Sequence, residues 1–167
     1  MKLSARIFAG VAAIALIGAG AFVYLRKEPA PEVQFTRLAG GNFSTADLRG
    51  KVVLVNFWAT SCETCVHEMP KMIETYNKFA PRGYDMIAVA MSYDHPNYVA
   101  QYARNNKLPF TVALDTSGEI AKRFGNVQVT PTTYLIDKQG RIIKQYLGEP
   151  NWVEFHALLD KVLSDPA

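Results

Sequence analysis

The chain has 167 residues, of which 49% are hydrophobic, 18 are Lys or Arg, 15 are Asp or Glu and two are cysteines, enough for one globular domain and an extension. Its formal charge of +3 is local, because Lys2, Arg6, Arg26 and Lys27 flank an N-terminal apolar run, and from Glu28 onward 14 basic residues face 15 acidic ones. The folded part lacks the clustered positive charge that nucleic-acid binding requires, which excludes that class.

Residues 7–25 carry no charge over nineteen positions. At 1.5 Å per residue a helix of that length spans about 28 Å, close to the hydrocarbon thickness of a bilayer. The small-x-small run Ala19-Gly20-Ala21 would suit cleavage of a signal peptide. Apolar character nevertheless continues through Phe22, Val23 and Leu25, with Tyr24 as an interfacial aromatic, and stops at Arg26-Lys27. Residues 1–27 are therefore expected to form an uncleaved N-terminal membrane anchor, the signal peptide being the alternative. The flanking charges lean towards an inside N-terminus, which puts the remainder on the extracytoplasmic side. Residues 28–32, Glu-Pro-Ala-Pro-Glu, read as a semi-rigid linker, and residues 33–167 as the folded domain.

Within that domain, residues 33–38 predict a strand, Gly40-Gly41-Asn42 a turn, and residues 42–44 a short return strand. The near-continuous apolar run of residues 52–58 has the pattern of a central strand covered on both faces. Met69, Met72, Ile73, Tyr76 and Phe79 then recur at three- and four-residue steps, which marks a helix beginning near Cys62 that Pro70 should kink. Residues 84–91 predict a second buried strand, followed by a helix with a packed stripe of Tyr98, Val99 and Tyr102. Residues 108–114 predict a strand and 119–124 a short helix, and residues 132–136 and 141–147 flank the hairpin turn Asp137-Lys138-Gln139-Gly140. Trp152, Phe155, Leu159 and Val162 define the inner face of a closing helix. The order is that of an α/β fold, a central mixed β-sheet with helices on both faces.

Cys62 and Cys65 lie where the strand of residues 52–58 gives way to the helix. Two residues between the sulfurs at a helix start allow a short-loop disulfide and expose the first sulfur to backbone N–H groups that stabilise a thiolate. The same spacing serves zinc, but a structural zinc site needs four ligands; there is no second cysteine pair, and His67, His95 and His156 are scattered. A purely structural disulfide is a poor reading too, since so short a loop constrains the unfolded chain very little. His67 and Met69 beside the cysteines raise a copper site, although residues two and four positions from Cys65 point in different directions on a helix. His95 and His156 read as surface or helix-end residues.

These residues resemble the thioredoxin fold and, more narrowly, the membrane-anchored TlpA/ResA-type thiol-disulfide oxidoreductases. The resemblance spans residues 33–164 and is carried by Gly50-Lys51-Val52-Val53-Leu54-Val55-Asn56-Phe57-Trp58-Ala59-Thr60, the Cys62/Cys65 pair, Glu68-Met69-Pro70, and Val129-Thr130-Pro131-Thr132-Thr133. The helix near Tyr98 and the strand near Val112 resemble the central α/β insertion of TlpA-type proteins. Two positions depart from the pattern: Ser61 replaces the usual tryptophan, and Glu63-Thr64 lacks the usual proline. The dipeptide between the cysteines tunes the redox potential, so these departures leave the potential open.

The resemblance implies a redox-active Cys62/Cys65 disulfide as the catalytic centre and Glu68, one helical turn beyond Cys65, as the group that tunes the cysteines and assists proton transfer. It implies that Thr130-Pro131 is a cis-proline loop presenting backbone to a substrate chain, with Trp58 packed under the site and grouped with these substrate-binding residues. Asn56 stands where thioredoxin has a buried acid and reads as a hydrogen-bonded core residue with no proton to give. No cofactor or metal is expected. The implied partners are disulfide-bearing envelope proteins of apocytochrome c or copper-site type, with a membrane thiol-transfer protein of the DsbD/CcdA type as electron donor. The expected reaction is disulfide reduction in the periplasmic or extracytoplasmic space, and the rival readings are a disulfide-forming oxidase and a tethered copper chaperone.

Overall fold

The computed structural model describes residues 28–166. Seven strands form one mixed sheet: β1 (Gln34–Arg37), β2 (Asn42–Ser44), β3 (Val52–Trp58), β4 (Tyr84–Ala90), β5 (Thr111–Leu114), β6 (Thr132–Ile136) and β7 (Ile142–Leu147), in the spatial order β2-β1-β5-β4-β3-β6-β7. Four α-helices accompany it: α1 (Glu63–Phe79), α2 (Pro96–Asn105), α3 (Glu119–Arg123) and α4 (Trp152–Ser164). β3, β4 and β5 run parallel, while β6 is antiparallel to β3, β7 to β6 and β1 to β5. The expected α/β fold is present, and the anchor expected over residues 1–27 lies outside the described residues. Among those described, no helix is long and apolar enough to cross a membrane.

All seven residues of β3 are buried, as a central strand with cover on both faces requires. Side chains alternate along it. Val52, Leu54 and Trp58 pack with Cys65, Met69, Met72 and Phe79 of α1, Val99 of α2, and Phe155, Leu159 and Val162 of α4. Val53, Val55 and Phe57 meet Phe35, Phe43, Ile120, Phe124 and Tyr134 on the other face. Three of the helices thus share one face, and the short α3 covers the other. Pro70 lies within α1 at an exposed position, and the helix continues through it to Phe79. Of the stripe expected on α2, Val99 is buried and Tyr102 packs on Trp58, but Tyr98 is 64% exposed and lies tilted against His95. One apolar row suffices where the helix lies at the margin of the sheet.

The register aligns the ends of the strands. Trp58 pairs with Ala90, Ala90 with Leu114, Phe57 with Thr132, and Thr132 with Leu147. The carboxyl ends of β3, β4, β5 and β7 and the start of β6 therefore meet at one end of the sheet, where the connections carrying Cys62, Asp94, Pro131 and Glu149 gather.

The opposite end holds a correction. Residues 28–32 are no free linker: Ala30 is buried, its N–H donates to Gly140 C=O, Ile142 N–H donates to Glu28 C=O, and Pro29 bridges Arg141. Prolines favour the extended backbone that adds along an edge strand, so the composition that suggested a spacer also suits docking on β7. Thr45, buried after β2, ties the segment down by donating to Pro31 C=O at 2.9 Å and accepting from Val33 N–H at 3.0 Å. Thr45→Val should cost about 1–3 kcal/mol in urea unfolding by leaving buried backbone groups unpaired, and should expose residues 28–32 to limited proteolysis. Unchanged stability and cleavage would return the segment to the unpacked class.

Candidate active site

Cys62 is the N-cap of α1, in extended backbone conformation, and Cys65 lies in the first turn. The two form a disulfide, with Cα atoms 5.2 Å apart. Cys62 is half-buried and Cys65 fully buried. The Cys65 N–H donates to Cys62 Sγ at 3.2 Å, as an N-cap side chain accepts from the helix it starts. The outer sulfur thus sits at the positive end of a 17-residue helix with a backbone donor aimed at it, the setting that lowers a thiol's pKa. Glu63, between the cysteines, is exposed.

Glu68 is 1% exposed on the inner face of α1, one turn beyond Cys65. Its Oε1 accepts from Asn56 Nδ2 at 3.1 Å, and the same amide donates to Thr133 Oγ1 at 2.8 Å. Asn56 and Thr133 are direct partners across β3 and β6. Glu68 Oε2 and Asn56 Oδ1 are buried without a hydrogen-bond partner among the described residues, so Oε2 is the oxygen free to carry a proton. Burial pushes the carboxyl up from 4.5 to about 7, the Asn56 hydrogen bond opposes the shift, and the charge of Glu149 adds to it.

The peptide bond Thr130-Pro131 is cis. Pro131 is buried and its carbonyl accepts from Gly148 N–H at 2.8 Å, while Thr130 Oγ1 lies 3.4 Å from the Tyr93 hydroxyl. Because β6 begins at Thr132, opposite Phe57, this loop stands beside the strand end that leads to Cys62. Trp58 is fully buried against Tyr102, so it underlies the site and has no surface on which a substrate chain could lie. Its position as the last residue of an inward-facing row decides this.

The copper cluster does not form. Met69 is 1% exposed in the core, whereas His67 is exposed and lies 3.2 Å from Glu149 Oε2 through Nδ1. Their side chains leave α1 in different directions, as the helical period demands. His95 caps α2 through Nδ1, as expected of a helix-end residue. His156 is neither exposed nor terminal: it sits half-buried within α4, 2.9 Å from Thr75 Oγ1 and against Phe79, and burial pushes its pKa down.

The Redoxin family matches residues 26–162. Thiol-disulfide oxidoreductase ResA of Bacillus thuringiensis subsp. konkukian is 35% identical over 176 aligned positions, covering 97% of this chain and 99% of the relative. A solution structure from Neisseria meningitidis, given as that of a thioredoxin, is 41% identical with a TM-score of 0.76, covering 82% of this chain and 91% of that one. A thiol:disulfide interchange protein of the thioredoxin family from Chlorobium tepidum is 27% identical with a TM-score of 0.75, covering 83% and 98%.

The chain belongs to the Redoxin family. It is a ResA-type thiol-disulfide oxidoreductase, and the Cys62–Cys65 disulfide is the redox pair its site is built around.

Sequence reasoning missed three contributors to the oxidoreductase site. Asp94 accepts from Thr60 N–H at 2.6 Å and Thr60 Oγ1 at 2.7 Å, clamping the approach to Cys62 onto the end of β4. Thr133 was legible only as part of a motif, and its hydroxyl completes the Asn56 contact. Glu149 follows β7 and accepts from Trp152 Nε1 at 2.6 Å. The signal available for Asp94 and Glu149 was topological, since both follow the carboxyl ends of predicted strands.

The buried acid makes stability depend on pH. The folded-state pKa of Glu68 lies above that of an unfolded glutamic acid, so the fold favours the neutral form. That contribution is fully present below 4.5 and is lost as the pH rises through about 7. In urea unfolding of the oxidised protein, wild type should lose roughly 3 kcal/mol across this window relative to Glu68→Gln. Parallel pH curves for the two proteins would mean that the carboxyl ionises freely.

Proposed function

We propose that this oxidoreductase works as a reductant of protein disulfides outside the cytoplasm, held to the membrane by residues 1–27. The observation that carries the division of labour is the unequal exposure of the two sulfurs, half-buried Cys62 and buried Cys65. A client disulfide can reach only Cys62. Its thiolate attacks one client sulfur, the client S–S bond breaks, the other client sulfur leaves as a thiolate and takes up a proton, and a mixed disulfide forms. Cys65 then loses its proton to the Glu68 carboxylate and attacks Cys62 Sγ. The Cys62–client bond breaks, the intramolecular disulfide closes, and the second client thiolate leaves and takes up a proton. Two electrons pass from the dithiol to the client.

Glu68 suits the proton step because its pKa of about 7 lets it hold or release a proton near neutrality. The Thr130 peptide beside the cis-proline is the backbone that a client segment pairs with, in the manner the resemblance implies. The direction of electron flow rests on the similarity to ResA. On the same footing, apocytochrome c or a copper-site cysteine pair is the client class, and a membrane thiol-transfer protein of the DsbD/CcdA type is the source of electrons. The oxidase alternative uses the same residues with the opposite poise, and equilibration against glutathione separates the two.

Cys62→Ser should abolish turnover, whereas Cys65→Ser should accumulate mixed disulfides with clients in the native envelope, visible as adducts on non-reducing gels and released by dithiothreitol. Glu68→Gln should slow client release, by about 10²-fold if the carboxyl supplies the proton transfer. Adducts trapped equally by both cysteine variants would overturn the assignment of attacking and resolving sulfurs.

A further inference from the structure

Two tight turns lie side by side at the carboxyl ends of β3 and β4. The first, Ala59-Thr60-Ser61-Cys62, is closed by the Cys62 N–H donating to Ala59 C=O at 3.1 Å, and it delivers Cys62 to α1. The second, Met91-Ser92-Tyr93-Asp94, is closed by the Asp94 N–H donating to Met91 C=O at 2.9 Å. Asp94 is 9% exposed, and both of its side-chain oxygens accept from a single residue of the first turn: Oδ2 from the Thr60 N–H at 2.6 Å and Oδ1 from the Thr60 hydroxyl at 2.7 Å. Short bonds to a carboxylate are among the stronger hydrogen bonds in proteins.

The sheet does not need this clamp. β3 and β4 are already paired as far as Trp58 and Ala90, and the Met91 N–H extends the pairing by donating to Trp58 C=O at 3.0 Å. What the carboxylate adds is a hold on Thr60, two residues before Cys62. The other titratable groups at this place are Glu63, exposed in the first turn of α1, and Glu68 with Cys65 on the inner side of that helix. His95, next to Asp94, turns its Nδ1 to the Asn97 N–H, and the Tyr93 hydroxyl lies 3.4 Å from Thr130 Oγ1. The turn after β4 therefore touches both the cysteine turn and the cis-proline loop.

We propose that Asp94 is a positioning residue for thiol-disulfide exchange: by clamping Thr60 it keeps Cys62 at the N-cap of α1 when the disulfide is open, and so supports the reduced form more than the oxidised one. In the oxidised form Cys62 is also held covalently through Cys65. Once that bond opens, Cys62 keeps its turn hydrogen bond to Ala59, the Val66 N–H donating to its carbonyl at 3.0 Å, and the Asp94 clamp. The clamp keeps the outer sulfur where the Cys65 N–H meets it. In exchange with glutathione, two glutathione thiols supply two electrons and two protons, the Cys62–Cys65 bond breaks and glutathione disulfide forms. Asp94 enters none of these bonds. Through its charge alone it would oppose a thiolate at Cys62, so a positioning role and a charge role have opposite signs.

The test compares Asp94→Ala with Asp94→Asn, whose Oδ1 can accept from the Thr60 N–H while its Nδ2 donates to the Thr60 hydroxyl. In the reduced protein, the pH dependence of alkylation at Cys62 should show a midpoint raised by roughly 0.5 to 1 in Asp94→Ala, and Asp94→Asn should recover most of the difference. Equilibration with glutathione should move towards the protein disulfide by roughly three- to tenfold in Asp94→Ala. A midpoint that falls in both variants would mean that the charge of Asp94 dominates, and an Asp94→Asn protein as altered as Asp94→Ala would mean that the two contacts do not matter; either result overturns the proposal. So does an equal loss of urea stability in the oxidised and reduced forms of Asp94→Ala with the glutathione equilibrium unmoved, which is what a plain structural support predicts. Thr60→Val keeps the backbone contact and loses only the hydroxyl one, so it should move both readouts in the same direction by a smaller amount. It carries the test where Asp94→Ala does not fold, and an unmoved midpoint and equilibrium in Thr60→Val would then overturn the proposal.

Discussion

The working end of the molecule depends on the antiparallel register that sets Asn56 opposite Thr133. Because side chains alternate along a strand, a slip of one residue would send Asn56 to the far face with Val53, Val55 and Phe57. Glu68 would then be buried with no donor, a situation that costs several kcal/mol for a charged carboxylate. Asn56, Glu68 and Thr133 are 0%, 1% and 1% exposed, yet they are joined through a single amide. That amide ties the helix carrying both sulfurs to the strand that begins at the cis-proline. The residue that reads from the sequence as a hydrogen-bonded core amide is the joint between the two halves of the site.

From this joint follows the unequal treatment of the sulfurs. The inward face of α1 takes Cys65 with Glu68, Met69 and Met72 into the core, so the N-cap alone remains within reach of solvent. Cys65 is therefore buried beside an acid whose ionisation burial has made costly, while Cys62 meets a backbone donor. Desolvation disfavours a thiolate at Cys65 and the helix terminus favours one at Cys62. In the proposed reaction, attack at the outer position and resolution from the inner one follow from this difference in burial.

Much of this was legible in the chain. The seven-residue apolar run of β3, the change of period after Cys62 and the hairpin turn at residues 137–140 each carried a local signal, and the structure keeps them. What failed depended on partners distant in sequence. Trp58 groups in the sequence with the substrate-binding residues, but Tyr102, far along the chain, packs on it and it is fully buried. His156 looked peripheral until α4 was laid on α1, where Thr75 receives it. Residues 28–32 have the composition of a spacer, and only the β6–β7 turn, more than a hundred residues away, gives them something to dock on. Periodicity reports which face of an element is apolar. It does not report which distant element will cover that face.

The acids around Cys62 pose an apparent conflict, since negative charge opposes a thiolate. Placement resolves it. Glu63 is exposed in the first turn of α1, where an acid favours the helix terminus and water screens its effect on the sulfur. The Cys65 N–H, directed at Cys62 Sγ over 3.2 Å, is not screened in that way. Glu68 lies in the other regime: it is buried, and the same pair of charges interacts about four times more strongly at an effective dielectric of 20 than in water, so the charge of Glu149 helps to raise its carboxyl. Negative charge at this end of the sheet therefore weighs on the buried acid more than on the half-buried sulfur, which a backbone donor of its own helix faces.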